Sequence, residues 1–360
     1  MNQSTRYPFL GLFSLVLSLL FSTAAFAQAQ PVQNGLPSAS TSSDGQFVFV
    51  PLTDISKKNP NDSATDQKHR PRVILALGGG GMRGAAHVGV LKALVEAGVP
   101  IDGIAGTSMG AIVGGLYSAG VPLDELEKRF VNGSMMKSFM VMPLPVRIVI
   151  APILSSPRLI GFHPYDGLYF GGIFHNYLEK ALPADRQTIE SLRIPYCAVA
   201  IDLCDGHAYA IRKGSLASAM QASSAVPELR KPVEINGKLF VDGGVLANVP
   251  VGYARQLGAD IVIAVQIDEQ FHKEPTKDFR KIGSVTKRMI NLQLTALDSF
   301  HEQGADIIIH PDVDGIKLIS TKVSDAKKAI ASGEAAAKEA LPAIKLKLEQ
   351  AGLAGLPQSQ

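Results

Sequence analysis

From Pro71 onward the apolar positions follow two rhythms. Short, nearly unbroken runs at 72–77 (Val-Ile-Leu-Ala-Leu after Arg72), 261–267 and 307–309 predict strands buried on both faces. Further strands are expected at 101–105, at 196–203 and 207–211 around the turn Cys204-Asp205-Gly206, and at 239–241. The other rhythm is helical. Val88, Leu91, Leu94 and Val95 share one face of a helix expected at 84–97 and closed by Gly98, and a second helix is expected at 109–119, stopped by Gly120. Strands alternating with helices of about a dozen residues imply an α/β fold: a mainly parallel central sheet with helices on both faces, a three-layer α/β/α sandwich.

The ends of the chain break this rhythm. Arg6, the apolar stretch 9–21 and the small-x-small sequence Ala25-Phe26-Ala27 give 1–27 the form of a secretory signal cleaved near Ala27. The competing reading is an uncleaved anchor, because 9–27 could just span a bilayer. Residues 28–70 are rich in Ser, Gln, Asp, Asn and Pro and read as a flexible linker or arm with one apolar patch, Phe47-Val48-Phe49-Val50. The main domain is placed at 71–312, and 313–360 form a helical segment and tail, with helix at 323–352 interrupted near Pro342. Within the main domain 132–172 stands apart. Met135, Met136, Met140 and Met142 cluster there, followed by an almost wholly apolar 146–154. It reads either as an extra core helix or as a mobile apolar cap that meets acyl chains.

Composition narrows the picture. Hydrophobic residues make up 46% and charged residues 19%, as in a packed globular protein. A formal net charge of +3 is too small to argue for nucleic acid, though it leaves a mild attraction to anionic membrane surfaces. The two cysteines, Cys197 and Cys204, sit at either end of one expected strand. Seven extended residues separate them by about 23 Å, whereas a disulfide needs Cα atoms within about 7 Å. Two free, mostly buried thiols are therefore expected. No metal-ligand spacing is evident, so neither metal nor cofactor is expected.

Three motifs carry chemistry. Gly106-Thr107-Ser108-Met109-Gly110 is a G-x-S-x-G sequence between a predicted strand and a predicted helix, the context of a nucleophile elbow. Gly106 and Gly110 leave room for the sharp turn, and Ser108 projects at the sheet's carboxyl edge. Gly78-Gly79-Gly80-Gly81-Met82-Arg83-Gly84 also satisfies a phosphate-loop pattern. The acidic residue that a dinucleotide site needs is displaced, however, since Asp102 precedes the next strand instead of ending it, and no Walker lysine follows. The better reading is an oxyanion hole made by the amides of Gly79, Gly80 and Gly81. Asp242-Gly243-Gly244 follows the 239–241 strand. Alone it reads as an Asp-Gly turn, but a buried carboxylate there could take the Ser108 proton without a histidine.

Together these motifs, over roughly 72–268, resemble the patatin-like phospholipase family, closest to the bacterial branch related to neuropathy target esterase. The resemblance implies a Ser–Asp dyad (Ser108 and Asp242), a glycine oxyanion hole (Gly79, Gly80, Gly81), no metal, and hydrolysis of acyl esters in phospholipids or lysophospholipids at a membrane surface. It makes 71–312 the catalytic domain. Ala222 to Pro227 match the family as a structural helix-to-loop connection. Gly78 stands where plant members carry Asp, and Glu228 where glycine is usual. Arg83 matches the family's basic residue, either supporting the loop or meeting substrate phosphate. His310, His301 and His272 follow Asp242, so a Ser…Asp…His order is formally available. A single strand–helix unit joining Gly79 to Ser108 argues against it. His87 reads as a packing residue, His163 and His207 as surface residues, Asp202 and Asp205 as turn residues. Acyl transfer to another alcohol and a catalytically silent lipid-binding protein remain as alternatives. Oligomeric state is not legible.

Overall fold

The computed structural model describes residues 40–41, 47–52, 70–140, 171–227, 229–268, 274–280 and 304–353, together with positions 165, 167, 169, 284–285, 288–289 and 292. The expected signal segment, most of the 28–70 arm, Met142, the apolar 146–154 run, Glu228, His163, His272 and His301 lie outside the described residues.

The strands are β1 (Ser40–Thr41), β2 (Val48–Pro51), β3 (Val73–Leu77), β4 (Gly103–Thr107), β5 (Tyr196–Asp202), β6 (Ala208–Lys213), β7 (Val233–Ile235), β8 (Lys238–Asp242), β9 (Ile261–Val265) and β10 (Ile307–Ile309). They form one mixed sheet in the order β1-β2-β6-β5-β4-β3-β9-β10, with the hairpin β7–β8 attached to β5. The centre, β5-β4-β3-β9-β10, is parallel, and β6, β8 and β2 pair antiparallel.

Alternating residues of β3 feed two cores. Val73, Leu75 and Leu77 pack with helices α1 (Ala85–Glu96), α2 (Met109–Ser118), α3 (Leu123–Val131) and α4 (Ser134–Phe139). Ile74 and Ala76 face the other way, toward Val251, Tyr253 and Ala254. Helices α5 (Gly172–Ala181), α6 (Leu216–Ser223), α7 (Gly244–Ala247), α8 (Val251–Gln256) and α9 (Val323–Gln350) complete the layers, so the expected three-layer α/β/α arrangement is what forms.

Several local expectations change. The patch at 47–50 is not linker: β2 pairs with β6, and Phe49 is 2% exposed against Phe240. A short strand bounded by polar residues gains its apolar face only through a long-range neighbour. Helix α9 runs through Pro342 without interruption. Its proline lacks one amide bond, but Ala329, Ala337, Ile344 and Leu348 are buried in the main core and anchor the helix on both sides of it. Gly333 and Gly89 let α9 and α1 touch backbone to backbone, since a Cβ on Gly333 would overlap the Ala86 carbonyl. Cys197 is buried, but Cys204 is exposed, because it lies in the turn beyond β5 rather than on the strand. In the unusual 132–172 region, Met135 and Met136 are fully buried, so its described start is core helix.

Candidate active site

The elbow is built from packing that excludes side chains. A Cβ on Gly106 would lie 2.6 Å from the Ala111 Cα, and one on Gly110 would overlap the Leu77 carbonyl. Between them Ser108 takes φ 53°, ψ −119°, a left-handed conformation that a serine adopts only when its surroundings impose it. The Ser108 amide donates to Ser223 Oγ at 2.9 Å, and Ser223 Oγ donates to the Val199 carbonyl at 2.6 Å. Thr107 Oγ1 donates to the Ala247 carbonyl at 2.8 Å. Helix α2 starts at Met109 and so turns its positive end toward the serine.

Sheet register delivers the partner. β4 pairs with β5 as far as Thr107 opposite Val199, and on the same side of β5 the next rung, Ala200, is opposite Asp242. β6 fills the other side of β5. Thus β4 and β8 approach from opposite directions along one lane, and the end of each meets the other. Across 134 residues of chain, Ser108 Oγ donates to Asp242 Oδ2 at 2.6 Å. Asp242 Oδ1 accepts the Gly244 amide at 2.8 Å, and the Asp242 amide donates to the Ala225 carbonyl at 3.0 Å. The 222–227 connection therefore supports both residues of the pair.

Burial dominates the electrostatics. Asp242 is 6% exposed, and desolvation pushes its carboxyl up to about 6, against the opposing pull of the Ser108 and Gly244 hydrogen bonds. The Ser108–Asp242 bond is direct, and among the described residues no imidazole joins it. His87 is wholly buried, with Nε2–H donating to the Gly78 carbonyl at 2.8 Å, and desolvation lowers its pKa to about 4, so it is a neutral anchor for the start of the glycine loop. His310 contacts the Asp268 carbonyl, and His207 is in the turn after β5. Asp202 and Asp205 organise that turn, each accepting from Lys238.

The glycine loop lies beside the serine, and a Cβ on Gly79 would sit 3.0 Å from Ser108 Cβ. Its three amides are not equivalent. Gly79 donates to Asn248 Oδ1 at 3.1 Å. The amides of Gly80 and Gly81, both half-buried, have no protein partner among the described residues. Arg83 is buried and its Nε donates to the Ile316 carbonyl at 2.8 Å, while the Met82 amide donates to the Leu318 carbonyl at 2.9 Å. These two bonds tie the 81–84 turn to the 316–318 segment. Sequence reasoning missed Asn248, and it took Ser223 only as part of the 222–227 connection, without its bond to the Ser108 amide. Asn248 lies six residues after Asp242 in no recognised pattern, and only the folded turn shows its role. A separate cavity of about 330 Å³, lined by Pro71, Asp260, Ile261 and Lys347, opens at the opposite, amino-terminal edge of the strands. Among the described residues no cluster of His, Cys, Asp and Glu could hold a metal ion.

Fold and site together define an α/β protein whose elbow serine is held by a carboxylate beneath a glycine loop. The chain belongs to the patatin-like phospholipase family, whose model matches residues 75–255. It is 39% identical over 205 residues to an uncharacterized NTE family protein of Mycobacterium tuberculosis, covering 55% of this chain and 49% of that protein. It is 34% identical over 202 residues to human patatin-like phospholipase domain-containing protein 6, covering 55% of this chain and 13% of that protein. The chain thus spans about half the length of the mycobacterial relative and far less of the human one. Among solved structures, human GIVD cytosolic phospholipase A2 aligns with a TM-score of 0.45 at 12% identity, covering 81% of this chain and 61% of that chain. VipD from Legionella pneumophila aligns at 0.43 and 14%, covering 89% and 73%.

Proposed function

We propose that this chain is a serine lipid acyl hydrolase that cleaves carboxylic esters of phospholipids or lysophospholipids. The observation that carries the reading is the 2.6 Å hydrogen bond from Ser108 Oγ, on a strained elbow, to the buried carboxylate of Asp242. A carboxyl with pKa about 6 is charged at neutral pH yet close enough to neutrality to accept a proton. Ser108 Oγ attacks the acyl carbonyl carbon and its proton passes to Asp242 Oδ2. The oxyanion is met by the loop amides. Asp242 returns the proton to the departing alcohol oxygen, leaving an acyl-serine. Water then attacks that ester, again giving its proton to Asp242, and the fatty acid leaves as Ser108 is restored. The lipid substrate brings the enzyme to a membrane surface, and 1–27 directs it out of the cytoplasm as a cleaved signal.

The test is fluorophosphonate labelling beside p-nitrophenyl ester and phospholipid hydrolysis. Wild type should label and turn over, while Ser108→Ala should do neither and remain folded. Ser108→Ala protein that kept most of its esterase activity would refute the nucleophile, and unlabelled, inactive wild type would favour a silent lipid-binding protein.

A further inference from the structure

Asn248 joins the glycine loop to Asp268. Its Oδ1 accepts the Gly79 amide at 3.1 Å, and its Nδ2 donates to Asp268 Oδ2 at 2.8 Å. A backbone N–H faces one end and an acceptor-only carboxylate the other, so a single orientation of the amide satisfies both. Asn248 is 8% exposed, and an unmet polar atom there would be costly. The point where a Cβ on Gly244 would sit lies 3.1 Å from Asp242 Oδ1 and 3.3 Å from Asn248 Oδ1. The same Asn248 oxygen lies 2.8 Å from where a Cβ on Gly79 would sit, and Ser108 Cβ is 3.0 Å from that point. Asn248 therefore lies close to glycine loop, serine and carboxylate, and the short helix α7 carries it there directly from Asp242.

We propose that Asn248, oriented by Asp268, is the positioning residue that sets the glycine loop over Ser108. The inference rests on the acyl-hydrolase reading. With the Gly79 amide tied to Asn248, the loop is held at its first residue, beside Ser108. Asp268 acts through Asn248: its carboxylate prevents the side-chain amide from flipping and presenting N–H to N–H.

The experiment compares Asn248→Ala, Asn248→Asp, Asp268→Asn and the double variant Asn248→Asp/Asp268→Asn as full-length proteins. Kinetics use a p-nitrophenyl ester across pH, and Gly79 amide hydrogen exchange is followed in the same proteins. Asn248→Ala should lose kcat by on the order of ten- to a hundredfold, as loosened geometry does, with KM little changed and Gly79 exchange accelerated. Asn248→Asp sets two carboxylates against each other. The double variant restores a donor–acceptor pair of reversed polarity and should recover kcat above the acid limb. That limb should remain displaced to higher pH in both, because a new carboxylate then faces Asp242, a shift that mere unfolding does not produce. Wild-type kcat in Asn248→Ala, unchanged Gly79 exchange, or no recovery in the double variant would each overturn the proposal. Failure of the hydrolase reading shows separately, as absent fluorophosphonate labelling of wild type, and Gly79 exchange still decides the loop's tether.

Discussion

Replacing Asp242 by asparagine should abolish hydrolysis and, above pH 6, stabilise the fold. Burial raises the carboxyl from its ordinary value of 3.8 to about 6. At 1.36 kcal/mol per pKa unit, carrying the charge costs the folded state up to about 3 kcal/mol. The sign follows from linkage: a raised carboxyl favours the protonated folded state, so the penalty is absent below the unfolded pKa near 4 and complete above 6. Asparagine keeps the geometry. Its oxygen can accept the Gly244 amide and its nitrogen can donate to Ser108 Oγ, replacing the two bonds the carboxylate makes. For a domain of this size about 2 °C accompanies each kcal/mol, so calorimetry at pH 8 should show Asp242→Asn melting up to about 6 °C above wild type. The gap should close as pH falls from 6 to 4. A variant that melts below wild type at pH 8, or a gap independent of pH, would show that Asp242 is not a strained buried charge.

The same group sets the acid limb of wild-type kcat/KM, which should bend near pH 6 and fall about tenfold per unit below it; a pH–rate profile flat to pH 4.5 would count against Asp242 as base. Gly333→Ala forces a methyl group against the Ala86 carbonyl where α9 crosses α1, and should cost about 2 kcal/mol or more in urea unfolding; an unchanged midpoint would mean the two helices can part freely.

The sequence made the centre of the molecule legible because it is locally over-determined. Val73 to Leu77 has no polar position, and the glycines on either side of Ser108 admit one kind of turn, so strand, elbow and helix follow from a few residues. What escaped depends on partners far along the chain. Phe49 is apolar in a polar stretch and becomes a core residue only beside Phe240. β7 carries Glu234 at its middle and shows no apolar run, so no strand is expected there, although Asn236 and Gly237, both with positive φ, form a hairpin turn leading into β8. Pro342 signals a break that packing on α1 overrides. In the site, three glycine amides looked interchangeable, and only the fold shows that Asn248 occupies one of them. The pairing of Ser108 with Asp242 was suggested by family likeness, since nothing local in Asp242-Gly243-Gly244 distinguishes a base from a turn.

That two strands share one lane has a consequence for how the molecule comes into being. The strand and helix that flank Ser108 come from β4 and α2, but its amide partner Ser223 and its carboxylate arrive from much later in the chain, the carboxylate on the β7–β8 hairpin that enters head-on from the opposite direction. A slip of one residue in that docking would send the carboxylate to the far side of the sheet. Nascent chains should therefore lack the Ser108–Asp242 pair until that antiparallel hairpin is in place.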